Sequence, residues 1–165
     1  MRAQNNHGVF YDAQRLAFAI FIDDKETAEE VINSAKNRLD YQMNDEGAFP
    51  KELERTIGLH YSVFVLKAFV SIAEMSDKLG IDFWNYDTPS GKNLKKGMYF
   101  IAPYLAQEKE WKWQQIKEFD YTDGEEMMLL SAKKFNEPQF EKTAEKIKSK
   151  KPNMKDIVAT VEMRK

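Results

Sequence analysis

Apolar residues recur along the chain at spacings of three and four, and alternating strand-like runs are rare, so the pattern predicts an all-α fold. A first helix is expected over residues 11–22 and a second over residues 27–44, with Ala28, Val31, Ile32, Ala35 and Leu39 on one stripe of the second. The two read as a helical hairpin. Asn44-Asp45-Glu46-Gly47 closes it, and Pro50 suits the first turn of a third helix, where the missing N–H would be unpaired in any residue. That third helix, over residues 51–79, has the strongest periodicity: Tyr61, Phe64, Ala68, Ile72 and Met75 share a face, and Gly80 stops it. A loop over residues 85–91 leads to a helix over 94–105. Beyond Trp111 and Trp113 come two more helices, over 125–135 and 137–148, parted by Pro138. The pattern fades over 146–151 and 156–165, and no fixed-period repeat runs through the chain.

With 165 residues, 42% of them hydrophobic and 32% charged, the chain fits one domain with a core of its own. Lys and Arg number 25 against 27 Asp and Glu, which leaves no basic excess, so nucleic acid is not an expected partner. The absence of cysteine excludes disulfides, zinc-thiolate sites and thiol nucleophiles. The opening residues carry no export signal, and the longest apolar run, 16–22, is too short to span a bilayer. Membrane is therefore not expected as a partner either, and the compartment stays open.

No Walker loop, GxSxG elbow or HExxH pair is present, which removes the usual signals for phosphoryl transfer, serine hydrolysis and zinc proteolysis. Asn5-Asn6-His7-Gly8 lies just before the first expected helix, where unpaired N–H groups favour an anion such as a carboxylate. The same residue types also serve simply as a cap and turn. Arg55, His60 and Tyr61 fall within two turns at the start of the long helix: a permanent cation beside groups that can pass a proton. Read structurally, Arg55 pairs with a nearby acid and Tyr61 packs in the core. On an ideal helix Arg55 and Tyr61 would stand about 120° apart, so Arg55 must reach in from the helix start. Asp23-Asp24 and Asp45-Glu46 are acidic pairs at helix ends, where such residues are ordinary, and no metal site is expected of them. Tyr11, Trp84 and Tyr86 are among the aromatics that offer flat faces to sugar rings or pack in a core.

Taken in order, Asn5 through Gln14, then Arg55-Thr56 with Leu59-His60-Tyr61 and Phe64, then Phe83-Trp84-Asn85-Tyr86, resemble the alginate lyase superfamily over about residues 3–120. The resemblance is to the C-terminal catalytic half of the helical-toroid polysaccharide lyases, the group that includes family 5 alginate lyases and family 38 glucuronan lyases. It implies helical hairpins forming part of an incomplete (α/α) toroid: a lyase-like domain over 1–120, with 121–165 as a helical extension of it. Asn6 and His7 match the pair that neutralises the uronate carboxylate, Arg55 the cation and Tyr61 the acid/base. His60, Asn5, Tyr11, Trp84 and Tyr86 are expected to touch substrate. The implied reaction is β-elimination on an acidic polysaccharide, alginate, polymannuronate or glucuronan, with neither metal nor organic cofactor. A location outside the cytoplasm goes with the full-length family.

The chemistry requires such a set. Removing the C5 hydrogen of a uronate builds charge on its carboxylate, so fixed donors aimed there lower the barrier. A tyrosine accepts that proton only where a nearby cation favours its phenolate. Family members are considerably longer, with several hairpins before the matching motif. An incomplete toroid exposes faces meant for burial, so self-association is expected. Two other functions compete with a lyase: a catalytically inactive uronate-binding remnant, and a helical interaction domain in which the motif is only a cap.

Overall fold

A computed structural model describes residues 4–149. Among them are seven helices: α1 (Asn6–Phe21), α2 (Lys25–Gln42), α3 (Pro50–Leu53), α4 (Gly58–Asp77), α5 (Leu94–Leu105), α6 (Thr122–Phe135) and α7 (Pro138–Ser149). No strand occurs among the described residues; a single bridge joins Ile57 to Gln115. The all-α expectation therefore holds. The tail over 156–165 lies outside the described residues.

The α1/α2 hairpin is antiparallel, with Asp12 facing Arg38 and Asn5 facing Gln42. Asp24 caps α2 by accepting the Thr27 N–H at 3.0 Å, which places that acid in a structural role. Inside the hairpin Arg38 and Asp12 form a buried, two-pronged ion pair at 2.7 and 3.2 Å. Arg38 also donates to the Tyr41 hydroxyl.

α4 is the central helix. Val65, Ala68, Phe69 and Ile72 are fully enclosed between α1 on one side and the later helices on the other. Its length and composition would suffice to cross a membrane, but 61% of that window is buried within the fold, as in the core helix of a globular domain. α1 and α4 run parallel, with Asn6 beside Glu52 just ahead of α4 and the Phe10 ring 4.2 Å from that of Phe64. Two helix N-termini therefore open at the same end of the molecule, where both dipoles favour negative charge.

Two sequence expectations need correction, and both concern this end. α1 begins at Asn6, more than a turn before residue 11, because the Glu52 carboxylate accepts the Asn6 N–H and lets the helix start there. The continuous helix expected over 51–79 is broken: α3 ends at Leu53, and the four residues 54–57 link it to α4. The break is held by the segment after α5. Gly58 N–H donates to the Gln114 carbonyl at 3.0 Å, and Ile116 N–H donates to the Thr56 carbonyl at 2.9 Å. Gly58 fits closely there: a Cβ would stand 3.2–3.4 Å from the Leu53 and Gln114 carbonyl oxygens and the Trp111 ring.

Candidate functional site

Of the residues singled out in the sequence, Asn5, Asn6, His7, Arg55, His60 and Tyr61 lie at the paired N-termini of α1 and α4. Asn5 is the N-cap of α1, but its side chain caps nothing; its buried oxygen has no partner among the described residues. The Asn5 backbone carbonyl accepts instead from Gln42 Nε2 at 3.2 Å, tying α1 to the end of α2. Asn6 is buried, and two of its three N–H donors go to one carboxylate: backbone N–H to Glu52 Oε1 at 2.5 Å and one Nδ2–H to Glu52 Oε2 at 2.8 Å. His7 is exposed in the same first turn. Tyr11, one turn further along that face, is 58% exposed, with Arg15 lying 5.9 Å from its ring centre.

The break between α3 and α4 resolves the angular problem posed by Arg55. Standing in the link, Arg55 is free of helical periodicity and folds back so that its guanidinium lies 3.9 Å from the centre of the Tyr61 ring. Among the described residues the guanidinium makes no hydrogen bond, and neither does the Tyr61 hydroxyl or the His7 ring.

Glu52 connects the two halves of this end. Burial, the largest influence, pushes its carboxyl above the ordinary range, while the Asn6 hydrogen bonds and the charges of Arg55 and His7 draw it back down. Sequence analysis missed Glu52 altogether. Its only signal is a place three residues before Arg55, and Glu54 next to it looks equally suitable yet is exposed and paired with Lys51.

His60 is held from the other side. Leu59 N–H donates to Gln115 Oε1 at 3.1 Å, which fixes the Gln115 amide so that its Nε2 faces His60 Nδ1 at 2.7 Å. Nδ1 must then accept, and the neutral ring carries its proton on Nε2 as a remaining donor. The edge of Phe119 packs on the same ring. His60 and Tyr61 line an open hollow of about 290 Å³ with Phe64, Lys67 and Asp123. That volume lies just below the range of drug-sized sites.

Trp84 and Tyr86 are not brought to this end. Trp84 is 2% exposed and donates from Nε1 to Asp77, the last residue of α4, which at 20 residues is about 30 Å long. Tyr86 is half-buried against Phe83, with Lys36 4.7 Å from its ring centre. Trp111 and Trp113 pack on each other and on Tyr104. No group of three or more His, Asp or Glu side chains among the described residues is arranged to hold a metal ion.

This clustering of an Asn-His pair, an arginine and a tyrosine coincides with a match to a family model described as alginate lyase, over residues 1–111. The chain belongs to the alginate lyase family. Its structure is also similar to a crystal structure of an alginate lyase from Bacteroides ovatus, with a TM-score of 0.82 and 28% sequence identity. That likeness covers 88% of this alginate lyase family chain and 40% of the Bacteroides chain, so the helices seen here span well under half of that protein. It takes in a larger share of the chain than residues 3–120 make up. No curated protein matches the sequence.

Proposed function

We propose that this chain carries the carboxylate-binding and proton-transferring side of a polysaccharide lyase that cleaves a polyuronate by β-elimination. The observation that carries the reading is the stacking of Arg55 on Tyr61 beside Asn6 and His7, at two adjacent helix N-termini, in a member of the alginate lyase family. The uronate carboxylate would sit against Asn6 and His7, in the field of both helix dipoles, and His60 Nε2–H would donate to the sugar. Tyr61, with the Arg55 guanidinium against its ring, is the base that takes the C5 proton. The electron pair of the C5–H bond moves toward the carboxylate, giving an enolate-like species that Asn6 and His7 stabilise as charge develops. That pair then forms the C4–C5 double bond as the C4–O4 bond breaks, and Tyr61 returns the proton to the departing O4. Water is not consumed, and one new chain end is an unsaturated uronate.

A second reading rests on the share of the Bacteroides alginate lyase that is matched, 40%. If the opposite wall of the cleft lies in the remaining part, this chain alone binds uronate without turning it over. The experiment is to incubate the purified chain with alginate, polymannuronate and glucuronan and follow the ultraviolet absorbance of the conjugated product. A rise that disappears in Tyr61→Phe is expected, and the polymer giving it names the uronate. An unchanged rise in Tyr61→Phe would remove the proton-transfer role. With no rise, calorimetry with uronate oligomers separates the rest: binding favours the binding remnant, and its absence favours a helical interaction domain.

A further inference from the structure

One buried titratable group has no part in the chemistry above, and it is the group on which Asn6 hangs. Glu52 is 1% exposed and accepts two hydrogen bonds, both from the same residue. Only a carboxylate accepts at both terminal atoms; a glutamine would set its own N–H against one of the Asn6 donors. The Asn6 side-chain amide therefore cannot flip, and the second N–H on Nδ2 is left in a fixed direction. The Asn6 backbone N–H is one of the orphan donors of the first turn of α1, so the same carboxylate also fixes the turn that carries His7.

We infer that Glu52 is a positioning residue, which clamps the Asn6 amide and the first turn of α1 so that Asn6 and His7 are aimed at the uronate carboxylate. The inference rests on the polyuronate lyase reading. A negative charge beside an anion site would repel the substrate if it stood alone. Here Arg55 from the link after α3 and His7 from α1 bear on it with opposite charge, and Tyr61 from α4 lies beneath that arginine. Protonation converts one of the two accepting oxygens to a donor and releases one arm of the clamp.

The test begins with the unaltered chain and a pH series of proton–nitrogen correlation spectra. The Asn6 backbone and side-chain N–H signals should titrate together, with one midpoint above the ordinary glutamate value of about 4.3. In Glu52→Gln both signals should move and the titration should vanish. Turnover, or uronate affinity if the chain only binds, should fall on the order of a hundredfold in Glu52→Gln, the scale of a small misplacement of a reacting group. The double variant Glu52→Gln/Asn6→Ala should lose clearly less than the sum of the two single losses, because one arm of Glu52 acts only through the Asn6 amide. Asn6 signals indifferent to pH, or losses that add in the double variant, would overturn the inference even if Glu52→Gln failed to fold, since the first readout needs no substitution. Uronate binding without Asn6 titration sinks the clamp and spares the lyase reading. Titration in a chain that neither binds nor cleaves polyuronates sinks that reading and leaves Glu52 a helix clamp only, which overturns the positioning role as well.

Discussion

The two ends of α4 are built from similar parts and differ in what those parts have left to offer. At the C-terminal end Trp84 is buried and donates to Asp77, Lys134 pairs with the same carboxylate, and the lysine lies 5.7 Å from the Trp84 ring centre. Every polar group of that cluster has a protein partner. At the N-terminal end Arg55 lies on Tyr61 at 3.9 Å, but among the described residues the guanidinium, the phenol and the His7 ring make no hydrogen bond. An aromatic ring beneath a cation is therefore not a functional signal in itself. What distinguishes a candidate site is hydrogen-bonding capacity left unused and held in place by neighbours, here Glu52 and Gln115.

The sharpest way to break this comparison is a pair of substitutions. Trp84→Ala should cost about 3–5 kcal/mol of stability, as for large aromatic residues cut from a core, and leave uronate affinity at the opposite end unchanged once the protein is folded. Tyr61→Phe should do the reverse, keeping the denaturation midpoint while elimination falls about 10²–10⁴-fold, the usual weight of a positioned proton-transfer group. If both variants lost only stability, the two ends would be equivalent and the site would be structural. Next in size, Arg55→Gln should weaken the Tyr61 end by about 0.5–2 kcal/mol, the range of a cation on a ring, and slow elimination far more than that stability loss suggests, measured as kcat and unfolding on one preparation.

The ends should also part company with pH. Asp82, close to Trp84, is held below the ordinary carboxylate range, chiefly by the Asn85 side-chain hydrogen bond. Its stabilising effect is present above its unfolded value and is lost as pH falls through the folded one. Glu52, raised by burial, has the opposite sign: its contribution is present at low pH and is lost as pH rises through its raised value. Acid below about 4, the ordinary aspartate value, should therefore loosen the Trp84 end, seen as faster hydrogen exchange around residues 82–86, whereas in milder acid only the Asn6 clamp should respond, as Glu52 takes up its proton. The smallest effect concerns neither end of α4. Phe21, 86% exposed near Phe18 and Ile22, should tolerate Phe21→Ser within about 0.5 kcal/mol, while sedimentation should report less self-association if that face joins copies of the chain.

Much of this was legible in the sequence because it depends on local periodicity. The α1/α2 hairpin, α5 at Leu94–Leu105 and the closing α6/α7 pair follow from apolar spacing and turn residues, and the ordered Asn-His, Arg and Tyr motifs marked the family. The rest turned on contacts between distant segments. Glu52 and Glu54 look alike along the chain, yet one is enclosed beneath Asn6, 46 residues away, and the other faces solvent. The α3–α4 break was equally hidden, since residues 51–79 carry an unbroken apolar pattern and only the passage of residues 114–116 alongside pins the interruption. Trp84, adjacent to motif residues in the chain, is carried to the far end because α4 must run its whole length before the chain turns.

That break also fixes how the site tolerates change. Within α4, inserting a residue rotates everything beyond it by about 100° and would carry Tyr61 away from Arg55. In the link over residues 54–57 the constraint is of another kind: Thr56 and Gly58 are pinned by hydrogen bonds to residues 114–116, so an added residue there would have to be taken up on the Leu53 side, next to Arg55. The link thus joins two rigid registers, and the stacked pair depends on the six residues from Arg55 to Tyr61 being held across it.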